Sequence, residues 1–311
     1  MTTMTGAAKP SISLTDWGLM LALSVFWGVS FVFAKVAVAE VPPITVSFIR
    51  IIGAALLLWM VMLATGLRLP RDIATWKAFV PLSLFNNVIP FTAMYWAQLH
   101  IPSGLGAILN ATTPFFGVMF TALLTRDDRI STDRLVGLII GFTGVVVMIG
   151  PDLLSQIGID VLAQGAALLA ALCFAFAAIS GRRFSGVPPV TVATGQLILS
   201  CFILAPASLL VDSPWTLPAP SWNAIWAIVV LTVFSTALAY LLFFTIIARI
   251  GATSVLLVTF VQPLWAVTLG ALMLGEILSP PQLIGMMGIL IGLAAIDGRP
   301  ARAIRDLFRR N

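Results

Sequence analysis

The chain has 311 residues, of which 60% are hydrophobic and only 9% charged; its formal charge is +5 and its mean hydropathy +1.07. Soluble domains carry about 25% charged residues, so a water-soluble fold is excluded, and no stretch long enough for a separate soluble domain is left over. A membrane span needs roughly 20 apolar residues to cross about 30 Å of hydrocarbon, and such runs recur here from end to end.

Residues 1–15 form a short polar tail with one base, Lys9. The apolar run after it is too long for a cleavable signal peptide and reads as a retained helix. Ten candidate helices follow, at 16–38, 44–65, 76–98, 103–124, 134–150, 160–180, 189–211, 222–247, 252–274 and 281–297, here numbered spans one to ten. Pro42–Pro43, Arg68 to Asp72, Arg126 to Asp133, Pro188–Pro189, Pro214 to Pro220 and Pro280–Pro281 punctuate them. Runs of this length argue against barrel strands, which last only about ten residues. Cys173 and Cys201 both fall inside apolar runs and read as buried thiols. The closing tail, 298–311, sets Ile304, Leu307 and Phe308 against Arg302, Arg305 and Arg309. That pattern suits a short helix on an anionic inner leaflet, although control of topology alone explains the same bases.

Every Lys and Arg except Lys35 and Arg50 falls at the N-terminus, in an even-to-odd connection or in the closing tail. The opposite loops hold only acids: Glu40, Asp152, Asp160, Asp212 and Glu276. The positive-inside rule then places both termini in the cytoplasm of a multi-pass protein of the cell (inner) membrane. These bases orient the chain, and no nucleic-acid partner is expected.

VPPITV at 41–46 returns as VPPVTV at 187–192, before spans two and seven. At nearly the same interval Tyr95 returns as Tyr240 and Pro114 as Pro263, while Gly137, Gly141 and Gly144 are answered by Gly285, Gly288 and Gly292. A five-helix unit is odd, so its second copy enters the membrane upside down. The fold class expected is therefore all-α and polytopic, with ten transmembrane helices as two inverted five-helix repeats, 16–150 and 160–297. Secondary transporters are built this way, with substrate near the midplane between the halves.

The segment WGVSFVFAKVAVAEVPPITVSFIRIIGAALLL, from Trp27, resembles the opening of the EamA family in the drug/metabolite transporter superfamily. Trp27, Gly28, Lys35, Pro43 and Arg50 take the places of that opening. PLWAVTLGALMLGEILSPPQLIGMMGILIGL, from Pro263, resembles the Pro…Glu…Gly ending of the same repeat, with Glu276 in the acidic place. The chain departs from the pattern in its own halves: Gln196 answers Arg50, Gly181 with Arg182 answers Lys35, and Asp127 stands for the Glu in the first repeat. The resemblance implies ten helices, an inverted repeat and export of small metabolites such as amino acids.

Charges inside a membrane are costly and are candidates for function. Lys35 lies a turn from the end of span one, where it either snorkels outward or serves the transport path. Arg50 lies two turns inside span two and must pair with a helix C-terminal carbonyl, with Glu40 or with a substrate carboxylate. Both are assigned to gating or charge, together with the kink prolines Pro114 and Pro263. Each proline frees a carbonyl one turn back, at Asn110 and Thr259. The expected substrate-binding set is Asn86, Asn87, Asn110 and Gln262, with the aromatic faces of Trp27, Tyr95, Tyr240 and Trp265.

No Asp or Glu sits mid-span, which disfavours the alternative of a multidrug or cation exporter, since such antiporters need a buried carboxylate. One loop histidine, His100, and no mid-span acid leave nothing for an intramembrane enzyme; no enzymatic activity, cofactor or metal is expected. GLIIG at 137–141 and GILIG at 288–292 are small-residue faces that pack on each other or across a homodimer. The partners expected are a small-molecule substrate and a bilayer with anionic lipids at the basic tail.

Overall fold

The structure, a computed structural model, describes residues 13–124, 132–149, 158–184, 186–250 and 252–297. Among them lie thirteen α-helices: α1 Leu14–Val38, α2 Pro43–Ala64, α3 Ile73–Ser83, α4 Ile89–His100, α5 Ser103–Asn110, α6 Thr113–Leu124, α7 Thr132–Ile149, α8 Ile159–Gly181, α9 Pro189–Ala207, α10 Trp222–Thr232, α11 Ala239–Ile250, α12 Ala252–Leu274 and α13 Pro280–Asp297. No strand occurs among the described residues. The closing tail and Asp127 lie outside them.

Local chemistry explains where the helices start. Ser13 and Asp16 form a reciprocal capping box on α1, Asp72 accepts from the Thr75 amide at the start of α3, and Ser221 caps α10. Pro43 and Pro189, the second prolines of the repeated phrase, each occupy a first helical position, where the missing N–H costs nothing.

Spans three and eight are each two α-helices joined by a π-helical turn: Leu84–Val88 between α3 and α4, and Val233–Leu238 between α10 and α11. A further π turn, Ser208–Asp212, ends span seven. Span four breaks at Ala111–Thr112, between α5 and α6, just before Pro114. Pro263 lies inside an unbroken α12. The two matching prolines therefore act differently.

The packing has the symmetry of the repeat. α1 lies on α12 and on α10–α11, and its counterpart α8 lies on α5–α6 and on α4. The pairs α2–α9 and α7–α13 join equivalent helices across the pseudo-axis. Along α7 and α13 the glycine faces meet each other within the chain. A Cβ on Gly144 would lie 2.7 Å from the Gly285 carbonyl oxygen, and one on Gly292 2.5 Å from that of Gly137. Those two stripes are consumed inside the molecule, and the alternative that they join two copies is corrected.

Leu56, Met60, Leu63, Phe202, Leu264 and Leu272 are exposed on the outer surface, as lipid contact requires. Several helical stretches are by themselves long and apolar enough to cross a bilayer, among them Leu14–Val38, Pro43–Ala64 and Trp222–Phe243. The fold is that of an all-α polytopic membrane protein with two inverted five-helix repeats.

Candidate functional site

Arg50 sits two turns into α2 with its side chain buried. Its Nε donates to Thr236 Oγ1 at 2.6 Å, one terminal nitrogen to the Tyr95 hydroxyl and the other to the Ser235 carbonyl at 3.1 Å. The guanidinium also lies 4.1 Å over the Phe91 ring, which in turn stacks on Tyr95 at 6.1 Å. Every one of these partners is neutral. A lone cation at this depth is held by dipoles and a π face rather than by a counter-charge. The expectation that Glu40 or a helix C-terminal carbonyl pairs with Arg50 is corrected: Glu40 instead accepts from the amide and hydroxyl of Ser221, both at 2.6 Å.

Gln196, the counterpart of Arg50, lies at the same depth in α9 and is equally buried. Its side-chain oxygen accepts from Asn86 Nδ2 at 3.1 Å, and its carbonyl from the Ser83 hydroxyl at 2.9 Å. Asn86 also donates to the Tyr240 hydroxyl at 3.3 Å, and Tyr240 donates to Asn87 Oδ1 at 2.9 Å. Two arrangements thus face each other. Arg50 meets Tyr95 of span three and the π turn of span eight; Gln196 meets the π turn of span three, which Tyr240 of span eight also reaches. A π turn inserts one residue into an α-helix and redirects the side chains on it, and such turns gather at functional sites. Here they bring Asn86, Asn87, Ser235 and Thr236 to the interface between the repeats.

The structure therefore joins five of the expected residues, Arg50, Asn86, Asn87, Tyr95 and Tyr240, in one polar cluster. Trp27, Gln262 and Trp265 form a second group where α1 crosses α12. Trp27 packs on Phe243, Trp265 donates to Ser24 Oγ at 3.1 Å, and a Cβ on Gly28 would lie 2.8 Å from the Gln262 carbonyl oxygen. Asn110 ends α5 beside the Pro114 break. The sequence expects the carbonyl that Pro114 frees there to be an open acceptor; that is corrected, because the Thr113 hydroxyl donates to it at 2.7 Å. Lys35 is half-buried and donates to the carbonyls of Gln98 and Ile101, at 2.6 and 3.0 Å, rather than reaching free into the outer interface. It neutralises the C-terminal end of α4, while Glu276 accepts from the Ser103 amide at 2.8 Å and caps the adjoining α5.

Gln196, Ser83, Phe91, Ser235 and Thr236 lie outside the substrate-binding set expected from the sequence, although Gln196 is named there as the counterpart of Arg50. For Gln196 the signal was present, because the repeat interval carries Arg50 onto it. Ser235 and Thr236 answer Asn86 and Asn87 across the repeats, a correspondence hidden by the change of residue type.

The contents of the cluster define a class first: a polytopic helical protein whose inverted halves bury polar groups on their shared axis has the architecture of a secondary transporter. The chain belongs to the EamA-like transporter family, whose pattern matches residues 17–150 and again 162–296. It is 28% identical over 291 residues to the uncharacterized transporter YvbV of Bacillus subtilis, covering 91% of this chain and 92% of that one. It is 26% identical to the uncharacterized inner membrane transporter YedA of Escherichia coli, over 85% of this chain and 84% of that one. A solved crystal structure with 19% identity covers 93% of this chain and 98% of its own, with a TM-score of 0.66, which speaks for the fold alone.

Proposed function

We propose that this membrane transporter exports small metabolites, amino acids first among them, by alternating access at the polar cluster between its repeats. The observation that carries the reading is the quasi-symmetric pair of half-sites around Arg50 and Gln196. Buried polar groups on the pseudo-axis of an inverted repeat are costly unless they serve a path across it. The bases of the N-terminus, the even-to-odd connections and the closing tail support an orientation with both termini in the cytoplasm.

Liposomes bearing the reconstituted protein test this by counterflow of labelled amino acids, aromatic and branched ones first, with and without a proton gradient. Saturable exchange is expected. Folded protein that exchanges no amino acid would sink the substrate class.

A further inference from the structure

The two half-sites are alike in place and unlike in charge. Arg50 and Gln196 each follow the first residue of their helix, Pro43 or Pro189, by two turns. That is about 10 Å of rise from opposite ends of a core roughly 30 Å thick, which leaves about 10 Å between them along the bundle.

Arg50 makes three hydrogen bonds, all to neutral groups, whereas a guanidinium offers five N–H groups. Among the described residues the one ion pair is Arg249–Asp16, at the far end of span eight. Asn87 is fully buried; its oxygen is engaged by Tyr240, yet its Nδ2 has no partner among the described residues. Asn87, Phe91 and Tyr95 follow each other at helical spacing along span three, with Arg50 over Phe91 and bonded to Tyr95. The unfilled donors and the uncompensated charge thus border one strip of span three. Donors in excess with no acceptor describe a site for an anion, and a planar guanidinium fork matches a carboxylate.

We propose that Arg50 is the carboxylate-binding half of a two-part site. The substrate is then a small carboxylate whose acid group faces the Glu40 end of the bundle, while the rest of it lies toward Gln196, Asn86 and Asn87. This inference rests on the transporter reading and names the substrate chemistry of the same site. It also supplies a neutral variant, because the chain itself places a glutamine at the quasi-equivalent position. Arg50→Gln copies the neutral half into the charged one.

The test measures thermal stabilisation of the purified full chain in detergent by leucine, phenylalanine and their 2-oxo acids, against leucinamide and phenylalaninamide. The acids are expected to act at concentrations ~10- to 100-fold below the amides, the range that loss of a charge-assisted hydrogen bond gives. Arg50→Gln is expected to erase that difference, and Arg50→Lys, which keeps the charge without the fork, to retain part of it. Equal action of acids and amides on the unaltered chain, or no action by any carboxylate, overturns the proposal without recourse to a variant. So does an Arg50→Gln protein that still prefers acids. Counterflow run in parallel separates the two readings. Acid-selective binding without counterflow sinks the transport reading and keeps the site; counterflow of acid and amide alike does the reverse.

Discussion

At the scale of single residues, the buried hydroxyls carry as much of the argument as the charges. Tyr95 is 2% exposed and gives Arg50 an acceptor that no neighbouring carboxylate supplies. Tyr95→Phe keeps the stack on Phe91 and removes only that acceptor. The expected cost is about 1–3 kcal/mol, the penalty for a buried donor left unsatisfied, read as a lower unfolding temperature in detergent. Thr113, at the break in span four, has a humbler part. Its hydroxyl covers the carbonyl that Pro114 would leave bare, so the break in span four is sealed rather than open. The proline was legible in the sequence, but the hydroxyl that cancels its effect was only one of many polar residues near it.

At the scale of elements, the repeat was readable and its irregularities were not. Apolar runs, proline pairs and returning landmarks located the ten spans, because hydropathy is a property of consecutive residues. The π turns at Leu84–Val88 and Val233–Leu238 left no comparable trace. A π turn is one residue too many in a helix, tolerated where the widened turn finds partners, and those partners lie on other spans. Here Ser235 donates to the Phe26 carbonyl and Thr236 accepts from Arg50. Deleting Ala237 should return span eight to α-helix and rotate Tyr240 by about 100° against its partners. The expected result is loss of counterflow with an unchanged far-ultraviolet circular dichroism spectrum. The glycine faces give a second prediction. In Gly144→Val the added atoms meet the backbone of Gly285 and Ile289, which cannot step aside as a side chain can. Destabilisation of about 1–3 kcal/mol is expected from thermal unfolding.

At the scale of the whole molecule, carboxylates at the Glu40 end tie the repeats to one another through helix starts. Glu40 of the first repeat holds the Ser221 amide ahead of α10; Asp212 of the second holds the Thr45 amide at 2.8 Å in α2, and Glu276 holds that of Ser103 in α5. Each places negative charge where the helix dipole favours it. At the other end Arg249 meets Asp16 at 2.6 Å, again across the repeats. These contacts would have to open in turn if access alternates. A chain with Glu40→Cys and Ser221→Cys, in a background lacking Cys173 and Cys201, should lose counterflow when the pair is bridged and regain it on reduction. Persistent exchange in the bridged protein would speak against movement at that end.

The same end carries a pH dependence. The Ser221 hydroxyl and amide hold the Glu40 carboxyl below its usual range. A depressed carboxylate adds stability that is complete above its unfolded value, about 4.3, and is lost as pH falls through the lower folded value. Unfolding temperatures should therefore drop on the acid side, and Glu40→Gln should flatten that part of the profile.

By itself the sequence determined the membrane class, the ten spans, the inverted repeat and the correspondence of Arg50 with Gln196. These follow from composition and from order along the chain, which need no knowledge of neighbours in space. The register of span eight on span three, in which Phe91 rather than Tyr95 answers Tyr240, is set by the structure. The tertiary structure alone decided that Arg50 meets neutral partners, that Glu40 binds Ser221, that the glycine stripes close on each other and that π turns carry the polar band. Each depends on groups far apart in sequence. In a medium without water, a buried polar group takes whichever partner packing brings within reach.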